Sequence, residues 1–171
     1  MKVIVTEKPS VARSIAQCLT VTEKHDGYLQ GNGYQIVWAY GHLVELQEPD
    51  EYCTDWKRWT LDSLPMIPES FALKAKNDQG SIKQLNLIKQ LLTHATEIIC
   101  ATDAGREGEL IFRYILTWAG LNHLSFKRLW ISSLTDDAIK QGFNHLQEGK
   151  QFDGLYLAAK CRSEADWLVG L

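Results

Sequence analysis

Apolar positions along the chain follow two alternating patterns. Lys2 to Thr6 and Glu97 to Ala101 are short apolar runs, which predict strands buried on both faces. Ala12, Ile15, Ala16 and Leu19 recur at helical spacing and predict a helix starting near Ser10, behind a turn at Pro9. Ile82, Leu85, Ile88 and Leu92 share a face of a second helix, with Ser81 as its expected cap. Leu110, Ile111, Tyr114, Ile115 and Trp118 face inward from a third helix over Arg106 to Trp118. A strand is expected over Arg128 to Ile131. Thr135 then caps a helix whose Asp136 and Asp137 suit the positive end of its dipole, and a last helix runs from about Asp153. Tyr28 to Gln30 and Tyr34 to Tyr40 flank Asn32-Gly33, a strong hairpin signal. Gln47 to Asp78 reads as loop, with Pro49, Pro65, Pro68 and the pair Trp56 and Trp59.

Strands that alternate with helices predict an α/β fold, a mostly parallel sheet flanked by helices, with a small antiparallel hairpin and a Pro/Trp loop inserted at about residues 26–80. Residues 1–150 are expected to form this domain and 151–171 the start of another. The stretch "AKCRSEADWLVGL" stops inside an amphipathic pattern, which predicts a piece of a longer chain. The 171 residues are 45% apolar with six Trp, enough for a packed core. The net charge of −3 argues against coating duplex DNA through bulk positive charge, and leaves room for a local basic groove or a site built from acids. Cys18, Cys53, Cys100 and Cys161 include no CxxC pair, so neither zinc nor a disulfide framework is expected and a reducing cytoplasm is the default. No run approaches the ~20 apolar residues of a membrane helix.

The chemistry concentrates in "CATDAGREGE", where acids and an arginine follow an apolar strand. Ligands of such sheets sit beyond the carboxyl ends of the strands. Glu7 follows the first strand and Asp103 the second, so the two carboxylates converge if the strands are neighbours. Mg²⁺ takes oxygen ligands and usually only one or two protein carboxylates. Glu7, Asp103 and Glu107 could supply them, while Lys8 and Arg106 supply positive charge for a phosphate. Gly105 lets the turn tighten. Other readings stay open at each point. Glu107 and Glu109 are favoured in a first helical turn on dipole grounds alone. His42 in "YGHLVEL" either reaches the crevice or bonds structurally. Trp56 and Trp59 either stack bases or pin the loop. Ser132 and Ser133 either touch phosphate or brace the next cap. Arg162 and Asp166, four apart on the last helix, fit a surface ion pair.

"VIVTEKPSVARSIA", "YGHLVEL", "WKRWTLDSLPMIPESF", "ATDAGREGELI" and "RLWISSLTDDAI" occur in this order, and together they resemble the N-terminal part of type IA DNA topoisomerases of the bacterial topoisomerase III kind. The first and fourth stretches are similar to the two halves of a Toprim domain. The resemblance implies a Rossmann-like Toprim sheet holding Mg²⁺ where one DNA strand is cleaved and resealed by a tyrosine of a separate domain. It implies relaxation or decatenation by strand passage, and a bacterial cytoplasm, near the nucleoid. It places Glu7 on the first acid, which helps with the metal and can protonate the leaving 3′ oxygen. Asp103 and Glu107 fall on the ends of the Asp-x-Asp-x-Glu motif, and Lys8 on the lysine at the scissile phosphate. Lys8, His42, Arg106 and Arg162 are the expected contacts to single-stranded DNA. Gly105 stands where the middle acid would, which puts a second metal in doubt. None of Tyr28, Tyr34, Tyr40, Tyr52, Tyr114 and Tyr156 has the Tyr-x-Arg-like context of the nucleophile. Remaining domains of the topoisomerase are the implied partners, and the fragment alone is expected to be inactive. A stand-alone Toprim nuclease or primase-like protein, a non-catalytic nucleotide-binding module and a pure scaffold are the alternatives.

Overall fold

Parallel strands must bury both faces, and the first strand shows how this sequence does it. In β1 (Lys2–Thr6), Val3 and Val5 join one apolar cluster while Ile4 joins another on the opposite side of the sheet. β7 (Glu97–Ala101) divides in the same way, with Ile98 and Cys100 on one face and Ile99 and Ala101 on the other. The computed structural model describes residues 1–57, 60–64 and 66–170, with only the backbone at Asp62. Trp59 and Pro65 of the expected loop, and the terminal Leu171, lie outside the described residues.

The main sheet has seven strands, in the order β2 (Glu23–His25), β3 (Tyr28–Gly31), β4 (Tyr34–Trp38), β1, β7, β8 (Lys127–Arg128) and β9 (Gln147–Glu148). β4, β1, β7 and β8 run parallel, and antiparallel strands close both edges. The hairpin expected as an insertion is therefore continuous with the sheet, because β4 pairs along β1 from Lys2↔Tyr34 to Thr6↔Trp38. Asn32 and Gly33 both take positive φ at its turn, as the Asn-Gly signal requires. The third strand is shorter than the expected Arg128 to Ile131. After Arg128 the chain leaves the ladder, and Leu129 N donates to Cys100 O at 2.9 Å as the last link.

Helices α1 (Pro9–Leu19) and α5 (Asp136–Asn144) cover one face, through Ala12, Ile15, Ala16 and Ile139. Helices α3 (Gln79–Thr93) and α4 (Arg106–Trp118) cover the other. The cap of α3 is Asp78 rather than Ser81, and its carboxylate accepts from Ser81 N and from the Ser81 hydroxyl, both at 2.8 Å. Ile82 lies at the exposed margin of that helix, while Leu85, Ile88 and Leu92 are buried. Thr135 caps α5 as expected, accepting from Ala138 N at 3.3 Å. Ser133 braces this cap, since its hydroxyl donates to Thr135 Oγ1 and accepts from Thr135 N.

The segment read as loop contains structure too short to leave a periodic signal. A one-turn helix, α2 (Pro49–Tyr52), and a two-stranded sheet of β5 (Val44–Leu46) and β6 (Leu73–Ala75) lie within or beside it. The side chain that anchors it is Trp167 of α6 (Asp153–Val169), which packs edge-on against Tyr52 and Phe71 and donates to Gln47 O at 2.9 Å. No helix among the described residues is long and apolar enough to cross a membrane.

Candidate functional site

Because β1 and β7 are neighbours in register from Lys2↔Glu97 to Thr6↔Ala101, the residues that follow them leave the sheet side by side. Glu7 Oε1 accepts from the backbone N–H of Asp103 at 3.4 Å. Glu7 is half-buried, and its carboxyl is pushed above the ordinary carboxylate range, first by burial and then by the like charge of Asp103, against the pull of Lys8 and His42. A second backbone link comes from the turn after β4: Gly41 N donates to Glu7 O at 3.2 Å. Tyr40 and Gly41 both take positive φ, at 50° and 81°, and this turn delivers His42 to the site. His42 Nε2 bonds the Glu107 carboxylate.

A crevice lined by His42, Asp103, Arg106, Glu107, Arg162 and Asp166 lies between α4 and α6. Three of the four side chains expected to meet DNA, His42, Arg106 and Arg162, thus share one opening with two of the acids. Lys8 is exposed and is not among the lining residues. The ion pair expected between Arg162 and Asp166 is not formed within 4.0 Å; both side chains are exposed along the crevice instead. The first turn of α4 opens here with no side-chain cap, so its positive end favours an anion in the crevice.

Glycines explain why the turn can be so tight. Gly105 sits at φ 155° and ψ 177°, backbone that only glycine adopts readily, so an acidic side chain at this position would be strained. Gly108 is constrained by space. A Cβ there would stand 1.9 Å from Asp103 O, and Thr102 Oγ1 donates to Gly108 O at 2.8 Å. The helix therefore starts in direct contact with the loop that carries Asp103.

Beneath that loop lies a buried charge network that the sequence reading missed. Arg128 and Glu109 are both fully buried, and Arg128 Nε lies 2.6 Å from Glu109 Oε1 as an ion pair without an aligned hydrogen bond. Arg128 also donates to the carbonyls of Cys100, Thr102, Leu129 and Asp103, at 3.2, 2.7, 3.1 and 2.8 Å. Arg113 extends the network, from Glu109 Oε2 at 3.2 Å to Gly149 O at 2.9 Å and Asp153 at 2.8 Å. Glu109 is thus no simple dipole partner; it anchors the arginine that holds the backbone of Asp103.

Among the described residues no three His, Cys, Asp or Glu side chains converge as a ready metal cage. The donor set nevertheless suits Mg²⁺, which needs only one or two protein carboxylates and oxygen-rich surroundings. Glu7 and Asp103 are paired acids whose mutual repulsion a cation would relieve, whereas Glu107 is already engaged by His42.

A parallel sheet with acids at two adjacent strand ends, closed by a glycine-bound helix start, defines a Toprim-type domain. A family model described as the Toprim domain matches residues 2–134, and the chain belongs to this family. It is homologous to the N-terminal part of DNA topoisomerase 3. It is 51% identical to the DNA topoisomerase 3 of Bacillus cereus and 47% identical to that of Bacillus subtilis, in each case across 99% of this chain. The chain spans 23% of the length of these relatives. Among solved structures it is similar to full-length topoisomerase I from Thermotoga maritima, with a TM-score of 0.56 and 25% identity, over 85% of this chain and 21% of that one.

Proposed function

We propose that this chain is the Mg²⁺-holding Toprim part of a type IA DNA topoisomerase of the topoisomerase III kind, acting on a single DNA strand that is cut, passed and resealed. The observation that carries this reading is the placement of Glu7 against Asp103 across adjacent parallel strands. Glu7 and Asp103 would hold the ion, with Glu107 in reach through His42 or water. When bound, Mg²⁺ supplies charge stabilisation at the scissile phosphate.

The chain's own residues supply the rest. Arg106, Arg162 and Lys8 orient the phosphate backbone by charge. Glu7 enters cleavage as the general acid: its proton goes to the departing 3′ oxygen as the phosphorus–oxygen bond breaks, and the carboxylate that remains faces the ion beside Asp103. The new bond goes from phosphorus to a tyrosine oxygen, whose own proton passes to solvent, and resealing reverses both steps. The nucleophilic tyrosine would come from another domain of the enzyme, in keeping with the lack of a Tyr-x-Arg-like context at the tyrosines here. Those domains and single-stranded DNA are the partners.

In the complete enzyme, Glu7→Ala is expected to slow relaxation of negatively supercoiled DNA by about a hundredfold or more. Near-normal relaxation by that variant would remove Glu7 from the chemistry. Nicking without relaxation by the unmutated enzyme would favour the nuclease alternative.

A further inference from the structure

Tyr40 is an outlier that neither the fold nor the carboxylate site explains. It is a bulky aromatic residue held at positive φ, where side chains other than glycine are rarely found. Burial does not account for this, because Tyr40 is 61% exposed, its ring meeting Trp38 edge-on with centroids 6.3 Å apart. Residues held in such conformations concentrate at functional sites. The segment is also fixed in place, since Ala39 N donates to Thr6 O at 3.0 Å and Gly41 N to Glu7 O.

Tyr40 and Trp38 form the aromatic side of a cavity of about 800 Å³ above the start of α3. Its lining also offers the neutral side chains of Ser81, Gln84, Asn86 and Gln90; the Lys83 charge is met by Asp26 at 2.6 Å, and the Asp78 carboxylate is engaged by Ser81 as the cap of α3. The Trp38 indole N–H is buried and has no acceptor among the described residues. Two residues beyond Tyr40, His42 lines the carboxylate crevice, so Tyr40-Gly41-His42 divides the two openings. An exposed aromatic ring beside neutral amides suits a flat, neutral, hydrogen-bonding ring better than a phosphate.

We propose that Tyr40, backed by Trp38, is a stacking platform for one unpaired base of the nucleic-acid strand that crosses the Glu7 and Asp103 site. The inference rests on the nucleic-acid reading given above. It predicts a base-dependent part of binding separate from the charge-dependent part supplied by Arg106 and Arg162.

The test is fluorescence anisotropy of a labelled single-stranded oligodeoxynucleotide at low salt, beside a twin in which the bases are replaced by abasic sites. Tyr40→Ala and Tyr40→Leu are expected to weaken binding of the normal strand about five- to a hundredfold, the usual range for loss of one base–aromatic stack. Tyr40→Phe keeps the affinity, and the abasic strand binds the unmutated chain no better than it binds Tyr40→Ala. Equal affinity of all variants for the normal strand would overturn the platform while leaving nucleic-acid binding intact. Failure of the unmutated chain to bind either strand would overturn the nucleic-acid reading and this inference with it.

Discussion

Arg128→Met is expected to destabilise the chain by about 3–5 kcal/mol, a large part of the roughly 5–15 kcal/mol available to a domain. Two costs combine. Glu109, fully buried, loses its closest positive partner and keeps only Arg113 at 3.2 Å. The carbonyls of Thr102 and Asp103 lose donors at 2.7 and 2.8 Å, and that of Thr102 is left unmet in the buried core. Arg128→Lys recovers little, because an ammonium cannot span the carboxylate and four carbonyls that the guanidinium meets. The double variant Arg128→Met, Glu109→Met is expected to be more stable than Arg128→Met alone, since it removes the stranded charge. Urea denaturation measures all four proteins. A loss below about 1 kcal/mol for Arg128→Met would show that the network is not what holds the Asp103 loop.

Gly108→Ala tests the same loop from above. At an ordinary helix position, replacing glycine by alanine stabilises by about 1 kcal/mol. Here the sign reverses. The new methyl would stand 1.9 Å from Asp103 O and 2.9 Å from its carbonyl carbon, both backbone atoms with nowhere to yield while Arg128 holds that carbonyl. A loss of about 1–3 kcal/mol is expected, with displacement of the Asp103 carboxylate. Weaker divalent-ion affinity should accompany it. Thermal unfolding with and without Mg²⁺ separates the two effects. A Gly108→Ala protein that is stabilised and binds the ion normally would refute the close contact.

Much of this was legible in the sequence because it is local. The apolar runs at 2–6 and 97–101 predicted their strands to the residue, and Asn32-Gly33 predicted its turn. The pairing of Glu7 with Asp103 followed from parallel neighbours with acids at their ends. What escaped is set by tertiary contact. Arg128 and Glu109 are nineteen positions apart, on a strand and a helix, and nothing in either segment alone announces their pairing. One signal was present: Phe112 and Leu116 follow Glu109 at helical spacing and are buried with it, so α4 is covered on more than one face. Gly108 also carried a signal, as a glycine inside a helix start needs a packing reason. The pairing of β5 with β6 left none, since three-residue strands joined across the long connection show no periodicity.

The most direct test of the metal site is a Mn²⁺ titration of this chain, followed by amide line broadening in NMR spectra. Broadening centred on Glu7 and on Asp103 to Glu107, competed by Mg²⁺ and weakened in both Glu7→Gln and Asp103→Asn, is the predicted result. Broadening spread over the surface acids and unchanged in both variants would contradict it, and the paired carboxylates would then have no role in holding the ion.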